Sequence, residues 1–176
     1  MVQLLAGICN LALPSLAPSR NQIGEAPLDC RRMRRKPKTR EITMKLSGGC
    51  NCGQVRYQLD GEPIRVGICH CETCRKDSGS AFSFFGVWPR TAATLSGELG
   101  CWRSRAGGER FCPNCGSSLF SWDDDSAEIE IKLGTLDAPP TALAPAYELW
   151  TIRREPWLAH QPDAEQHARD RPGSEA

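Results

Sequence analysis

The chain of 176 residues has no long uninterrupted apolar run, no large net charge and no long stretch at helical periodicity. Each absence excludes something. A membrane-spanning helix needs about 20 consecutive apolar residues, whereas the apolar opening over 1–20 is interrupted by Asn10, Pro14 and Pro18. That opening also lacks a positively charged leading region, so it reads neither as a signal peptide nor as an anchor, and a cytoplasmic protein with no membrane partner is expected. The net charge is +1, and it hides a split. Residues 1–43 carry eight Lys or Arg against three acids, which leaves the rest of the chain net negative. A net-negative domain favours neither nucleic acid nor an anionic lipid surface as its partner.

The lack of helical periodicity points to a mostly β fold. From Lys45 onward short alternating stretches are separated by Gly, Pro and Ser turns, the pattern of an antiparallel, mostly β domain. Strands are expected over 54–59, 64–69, 81–88, 93–95, 99–104, 109–111, 118–122 and 128–133, with a single helical turn over 72–78. The turn-rich segment 134–160 is expected to wrap over the sheets. One domain covers 44–160, between a disordered basic extension over 1–43 and a disordered tail over 161–176. The run Arg31 to Arg40 belongs to that extension and reads as solvated chain. Met44 stands directly before the first strand pattern, so 1–43 is also readable as lying upstream of the native start.

Cysteine, by contrast, is abundant. Seven of the ten fall in three clusters: Cys50-Asn51-Cys52, Cys69-His70-Cys71-Glu72-Thr73-Cys74 and Cys112-Pro113-Asn114-Cys115. Such tight spacing suits metal ligation better than a disulfide framework. A structural zinc site takes four thiolates, while a catalytic one keeps three protein ligands and an open position. Seven ligands therefore divide as four plus three, giving two Zn²⁺ per chain. Cys112-Pro113-Asn114-Cys115-Gly116 has the form of a zinc knuckle and needs a second pair, which Cys50 and Cys52 provide. Cys69, Cys71 and Cys74 are left as the open site. The alternative is a second closed site, with Cys101 or His70 as the fourth ligand.

Three thiolates and Zn²⁺ carry a net charge of −1, which makes an incoming thiolate a better fourth ligand than an activated water. Arg75 and Lys76 follow the last ligand and are candidates to offset that charge or to clamp a ligand carboxylate, Arg75 ahead because its planar fork binds carboxylate in two places. His70 sits between two ligands and is read as pointing away from the metal. Asp123-Asp124-Asp125 reads as a solvated turn, Trp150 and Trp157 as residues packed on the sheet, and Cys9, Cys30 and Cys101 as ordinary thiols.

Gly48-Gly49-Cys50-Asn51-Cys52-Gly53-Gln54-Val55-Arg56-Tyr57, the 69–76 cluster, Phe111-Cys112-Pro113-Asn114-Cys115-Gly116-Ser117 and Gly134-Thr135-Leu136-Asp137 together resemble the glutathione-dependent formaldehyde-activating enzyme family, whose domain is shared with centromere protein V. The resemblance runs from about Lys45 to Leu158. It implies a β-tent fold with two zinc ions. One is structural, on Cys50, Cys52, Cys112 and Cys115; the other is on Cys69, Cys71 and Cys74. It also implies a carbon–sulfur lyase of the S-(hydroxymethyl)glutathione synthase type, with glutathione or its adduct as the small-molecule partner. The candidate catalytic residues are then Cys69, Cys71, Cys74 and Arg75, while Glu148 has no assigned role. The reading from a different class is a zinc-stabilised binding module, or a glutathione carrier without its own catalysis.

Overall fold

The computed structural model describes residues 44–103 and 108–172. The expected extension over 1–43, with Cys9 and Cys30, lies outside them, as does the chain end from 173. The strands run in order β1 Lys45–Gly49, β2 Arg56–Asp60, β3 Arg65–Cys69, β4 Ser83–Pro89, β5 Ala93–Ser96, β6 Gly100–Arg103, β7 Gly108–Phe111, β8 Ser118–Ser121, β9 Glu128–Lys132, β10 Tyr147–Leu149 and β11 Glu165–Gln166. Helix α1, Glu72–Ser78, follows β3 and occupies the segment where the sequence leaves room for a helical turn.

Two sheets result. The smaller has the order β1-β2-β5 and is antiparallel throughout. The larger has the order β11-β10-β3-β4-β9-β8-β7-β6, antiparallel from β3 to β6. Its other end departs from the expected pattern, because β10 pairs parallel to β3 and β11 parallel to β10. The segment 134–160 is therefore more than a wrapping of turns, since it contributes a strand to the sheet. Nor are residues 161–172 a free tail. Glu165 N–H donates to the Ala146 carbonyl and His167 N–H to that of Glu148, both at 2.9 Å, and Ala164 is buried. A short polar edge strand, Glu165–Gln166, is held here by its backbone.

The two faces of the large sheet have separate tasks, and β4 shows why. Its side chains alternate. Phe84 and Trp88 point into the main core with Val55, Tyr57 and Leu59 of the small sheet's side and Phe120, Ile129 and Ile131 of the large one. Phe85 and Val87 point the other way, onto Cys69 and Tyr147, with Cys71, Cys74, Leu149 and Trp150 around them. Gly86 makes room for the largest of these side chains, since a Cβ there would come within 2.6 Å of the Trp88 ring. Trp88 is fully buried, and its indole N–H is satisfied by the Gly61 carbonyl at 3.0 Å. Truncating a side chain of this kind costs about 3–5 kcal/mol. The first face holds the sheets together, and the second carries the three-cysteine cluster.

Candidate metal centre and active-site cavity

Each half of the four-cysteine cluster is a tight turn. In the first, Cys50 N–H donates to the Val55 carbonyl at 3.0 Å and Gly53 N–H to that of Cys50 at 3.1 Å. In the second, Cys112 N–H donates to the Ser117 carbonyl at 3.0 Å and Gly116 N–H to that of Cys112 at 2.9 Å. Gly53 and Gly116 both have positive φ, +80° and +75°, where a side chain would be strained. Asn51 N–H reaches the Ser117 hydroxyl at 3.1 Å and links the two turns. One turn joins β1 to β2 in the small sheet and the other joins β7 to β8 in the large one, so the cluster spans both sheets.

The sulfurs are placed for a shared ion. Cys50 and Cys52 Sγ lie 3.4 Å apart, Cys52 and Cys112 Sγ 3.7 Å, and all four ligand atoms fall within 4.8 Å of one another. A tetrahedral zinc with Zn–S near 2.3 Å sets sulfurs about 3.8 Å apart, whereas a disulfide requires about 2.05 Å. The described cysteines are free thiols. Burial, before any other influence, pushes Cys112 up to about 11, while the Ser117 hydroxyl, its backbone N–H and other donors hold Cys115 down to about 5.

Cys69, Cys71 and Cys74 form the second cluster, again within 4.8 Å. Cys69 ends β3, Cys71 caps the N-terminus of α1 and Cys74 lies in its first turn. Backbone donors converge on the sulfurs: Cys71 N–H on Cys69 Sγ at 3.5 Å and Cys74 N–H on Cys71 Sγ at 3.4 Å. Donation from Cys69, then from Cys74, holds Cys71 down to about 2. Cys69 rises to about 12 and Cys74 is raised strongly, chiefly because each shares a proton with its neighbours. Three sulfurs this close ionise together only around a cation, so both clusters fit the ion expected of them.

Neither expected candidate supplies a fourth protein ligand to the second cluster. His70 is fully buried and turned away, with Nε2 3.0 Å from Glu148 Oε2. Cys101 is exposed on β6 and belongs to neither group. The side chain that sequence reasoning left without a role, Glu148, is the anchor of this region. It sits on β10 beside β3 and is buried, accepting from Gln161 N–H at 2.6 Å, from Arg154 Nη1 at 3.2 Å and from His70. Burial works to raise its pKa, but the Gln161 N–H and the His70 and Arg154 donors together hold it below its ordinary value.

A cavity of about 720 Å³ opens over the three thiols. Its apolar wall is Phe85, Trp102, Leu149 and Trp150; its cations are Lys76, Arg103 and Arg153; its acids are Glu72, Glu130 and Asp170. Arg75 is not among the lining residues, which corrects the role expected for it. Its Nη1 donates to the Arg153 carbonyl at 2.8 Å and its Nη2 pairs with Glu155. The helix turns Arg75 away from the thiols and onto the 153–155 turn, and the cation this presents to the cavity is Arg153. Lys76 does line the cavity, paired with Glu72 at 2.7 Å across one helical turn. Trp150 faces the cavity with a backbone φ of +56°. Trp157, expected on the sheet, is 74% exposed.

Beneath α1 lies a buried ion cluster. Lys132 Nζ sits 2.9 Å from Glu130, 3.4 Å from Asp77 and 3.7 Å from Glu109. Asp77 also accepts from the Ser118 hydroxyl at 2.8 Å. Burial alone lowers a lysine's pKa, yet Glu130 and Glu109 more than reverse that and keep Lys132 charged. The group ties the helix bearing Cys74 to β7, β8 and β9. In sequence, Glu128-Ile129-Glu130-Ile131-Lys132 alternates like a strand, and that alternation carries no sign of charges paired across elements.

The family model of the glutathione-dependent formaldehyde-activating enzyme matches residues 45–153, more than half of the chain. The chain belongs to that family. All seven clustered cysteines and most of the cavity wall lie within the match. A protein of Schizosaccharomyces pombe, described as an uncharacterized lyase, is 32% identical over 74 residues, covering 42% of this chain and 54% of its own length. The chain thus spans about half of that curated relative. A crystal structure of a Rhodobacter sphaeroides protein overlaps 53% of this chain and 91% of its own, at 19% identity and a TM-score of 0.44. Among the described residues no helix is long and apolar enough to cross a membrane.

Proposed function

We propose that the three-cysteine cluster is an open zinc site that binds a small thiol, glutathione or its adduct, and that the protein is a carbon–sulfur lyase of the S-(hydroxymethyl)glutathione synthase type. The observation that carries this reading is the position of Cys69, Cys71 and Cys74 on the wall of the cavity, with no fourth ligand in their group among the described residues. The four-cysteine cluster completes its own tetrahedron and holds the sheets. Cys69, Cys71 and Cys74 would hold a zinc ion, whose charge would keep an incoming sulfur deprotonated at neutral pH, where a free thiol of pKa about 8.5 is mostly protonated.

The chain's own residues do the rest. Trp102 and Trp150 flank the apolar stem of a ligand, and Phe85 and Leu149 keep water from the thiols. Arg153, Arg103 and Lys76 offset the charge of three thiolates and receive ligand carboxylates. Arg153 is held for this task by Arg75 through its carbonyl and by stacking over the Trp150 ring at 5.1 Å. In the synthetic direction the thiol loses its proton, a carbon–sulfur bond forms as the carbonyl bond of formaldehyde opens, and the oxygen gains a proton to become the hydroxyl. The lyase direction reverses these changes. A cytoplasmic location suits unpaired thiolate ligands, which stay reduced there.

The test is a titration of cobalt-substituted protein with glutathione. Entry of an exogenous sulfur changes the ligand field of the three-cysteine metal and leaves that of the other as it was. A spectrum unmoved by glutathione would sink the open-site reading in favour of a binding module stabilised by two closed sites.

A further inference from the structure

The family match ends at residue 153, but the cavity does not. Asp170 is part of its lining, and it is brought there by a strap of chain that follows β10. Just beyond β11, the His167 carbonyl accepts from both Thr151 N–H and the Thr151 hydroxyl at 3.1 Å, and the Arg169 carbonyl accepts from Trp150 N–H at 3.1 Å. The Trp150 indole N–H donates to Asp170 Oδ1 at 2.8 Å. Arg169 stacks 5.6 Å from the same ring on a contact separate from that of Arg153. Trp150 is therefore clamped at backbone and ring by 169–170, and its left-handed backbone, costly for a bulky residue, is maintained by these contacts.

One carboxylate oxygen of Asp170 takes the indole N–H, and the carboxylate retains acceptor capacity on a wall that also bears Arg153. A cation and an anion that both contact the Trp150 ring on that wall match the carboxylate and ammonium of an amino-acid head group. We infer that the strap is the selectivity element of this cavity, and that Asp170 recognises a free ammonium group on the ligand, so that thiols of the amino-acid class are preferred over thiols whose amine is absent or blocked. This rests on the thiol-binding reading above.

The test compares glutathione with its N-acetylated form on metal-loaded, full-length protein, by calorimetric titration. An exposed carboxylate–ammonium pair contributes up to about 1 kcal/mol, or about a fivefold preference for the free amine. Asp170→Asn keeps an oxygen for the Trp150 indole and removes the charge, and the preference should fall to none. Asp170→Glu should restore part of it. Equal affinity for the two thiols in the wild type, or an undiminished preference in Asp170→Asn, overturns the inference while thiol binding itself stands. Absence of binding by either thiol overturns both readings at once, and because the wild type alone can give that result, a variant that fails to fold does not blunt the test.

Discussion

Replacing Glu148 tests whether the three-cysteine cluster is positioned from β10. Its buried carboxylate receives Gln161 N–H at 2.6 Å, His70 Nε2 at 3.0 Å and Arg154 Nη1 at 3.2 Å. In Glu148→Ala the His70 ring loses its acceptor where water does not reach, and the part-buried Gln161 amide loses its own. Each such loss costs about 1–3 kcal/mol, and breaking a buried charged pair about 3–5 kcal/mol in all. Thermal unfolding followed by circular dichroism should show the midpoint lowered by roughly 10–20 °C. His70 lies between Cys69 and Cys71, so the variant should also hold its second metal about tenfold more weakly, while the four-cysteine site keeps its own.

Glu148→Gln should lie between, and its pH dependence has a definite sign. The folded carboxylate has its pKa depressed from an ordinary value of 4.5. A depressed pKa contributes stability that is present above the unfolded value and is lost as pH falls through the folded one. The gap between wild type and Glu148→Gln should therefore be constant above about pH 5 and narrow below 4.5. Urea denaturation at stepped pH measures it. A Glu148→Ala protein that melts within a degree or two of the wild type, with both metals held as tightly, would refute the claim that this pair positions the site.

Three further outcomes follow from the same geometry. A mild chelator should remove about one metal with the β fold intact, and glutathione should slow that removal by occupying the open position; metal release followed alongside circular dichroism reads both. Cys112→Ser or Cys115→Ser should unfold or strongly destabilise the domain, because a structural metal in a small β protein contributes folding free energy directly, whereas Cys71→Ser should leave a folded protein with one metal, as elemental analysis would report. Lys132→Met should cost about 3–5 kcal/mol in chemical denaturation, since it removes the buried lysine that Asp77, Glu109 and Glu130 share.

What the sequence revealed was what is local. The three cysteine motifs, the two knuckle turns and α1 each depend on contacts within a few residues, and spacing alone expresses those. The strands of the antiparallel part other than β1 were legible for the same reason, being joined to neighbours by short turns and marked by alternation; Lys45-Leu46-Ser47-Gly48-Gly49 ends in two glycines and shows no clear period. The parallel pairing of β10 was hidden because its partner, β3, lies about eighty residues earlier, and Tyr147-Glu148-Leu149 is too short to show a period. Arg75 and Arg153 illustrate a different limit. Sequence proximity to the ligands favoured Arg75, but a helix sends successive side chains about 100° apart, so Lys76 lines the cavity while Arg75 turns onto a segment 78 residues away, whose Arg153 lines the cavity in its place.

The two metal clusters differ in what their loss requires, and this is where fold and function meet. The four-cysteine cluster joins turns 60 residues apart in two different sheets, so a metal held there would leave only if the sheets part. The three-cysteine cluster spans a single strand-to-helix junction, and that junction is already held without metal: by Glu148 through His70 on one side and by Lys132 through Asp77 on the other. A site that the protein holds in shape from both flanks does not need a fourth ligand of its own to persist. The buried ions around it, which contribute little to stability beyond what apolar packing would give, hold the three thiols together from both flanks, as the proposed open site would require.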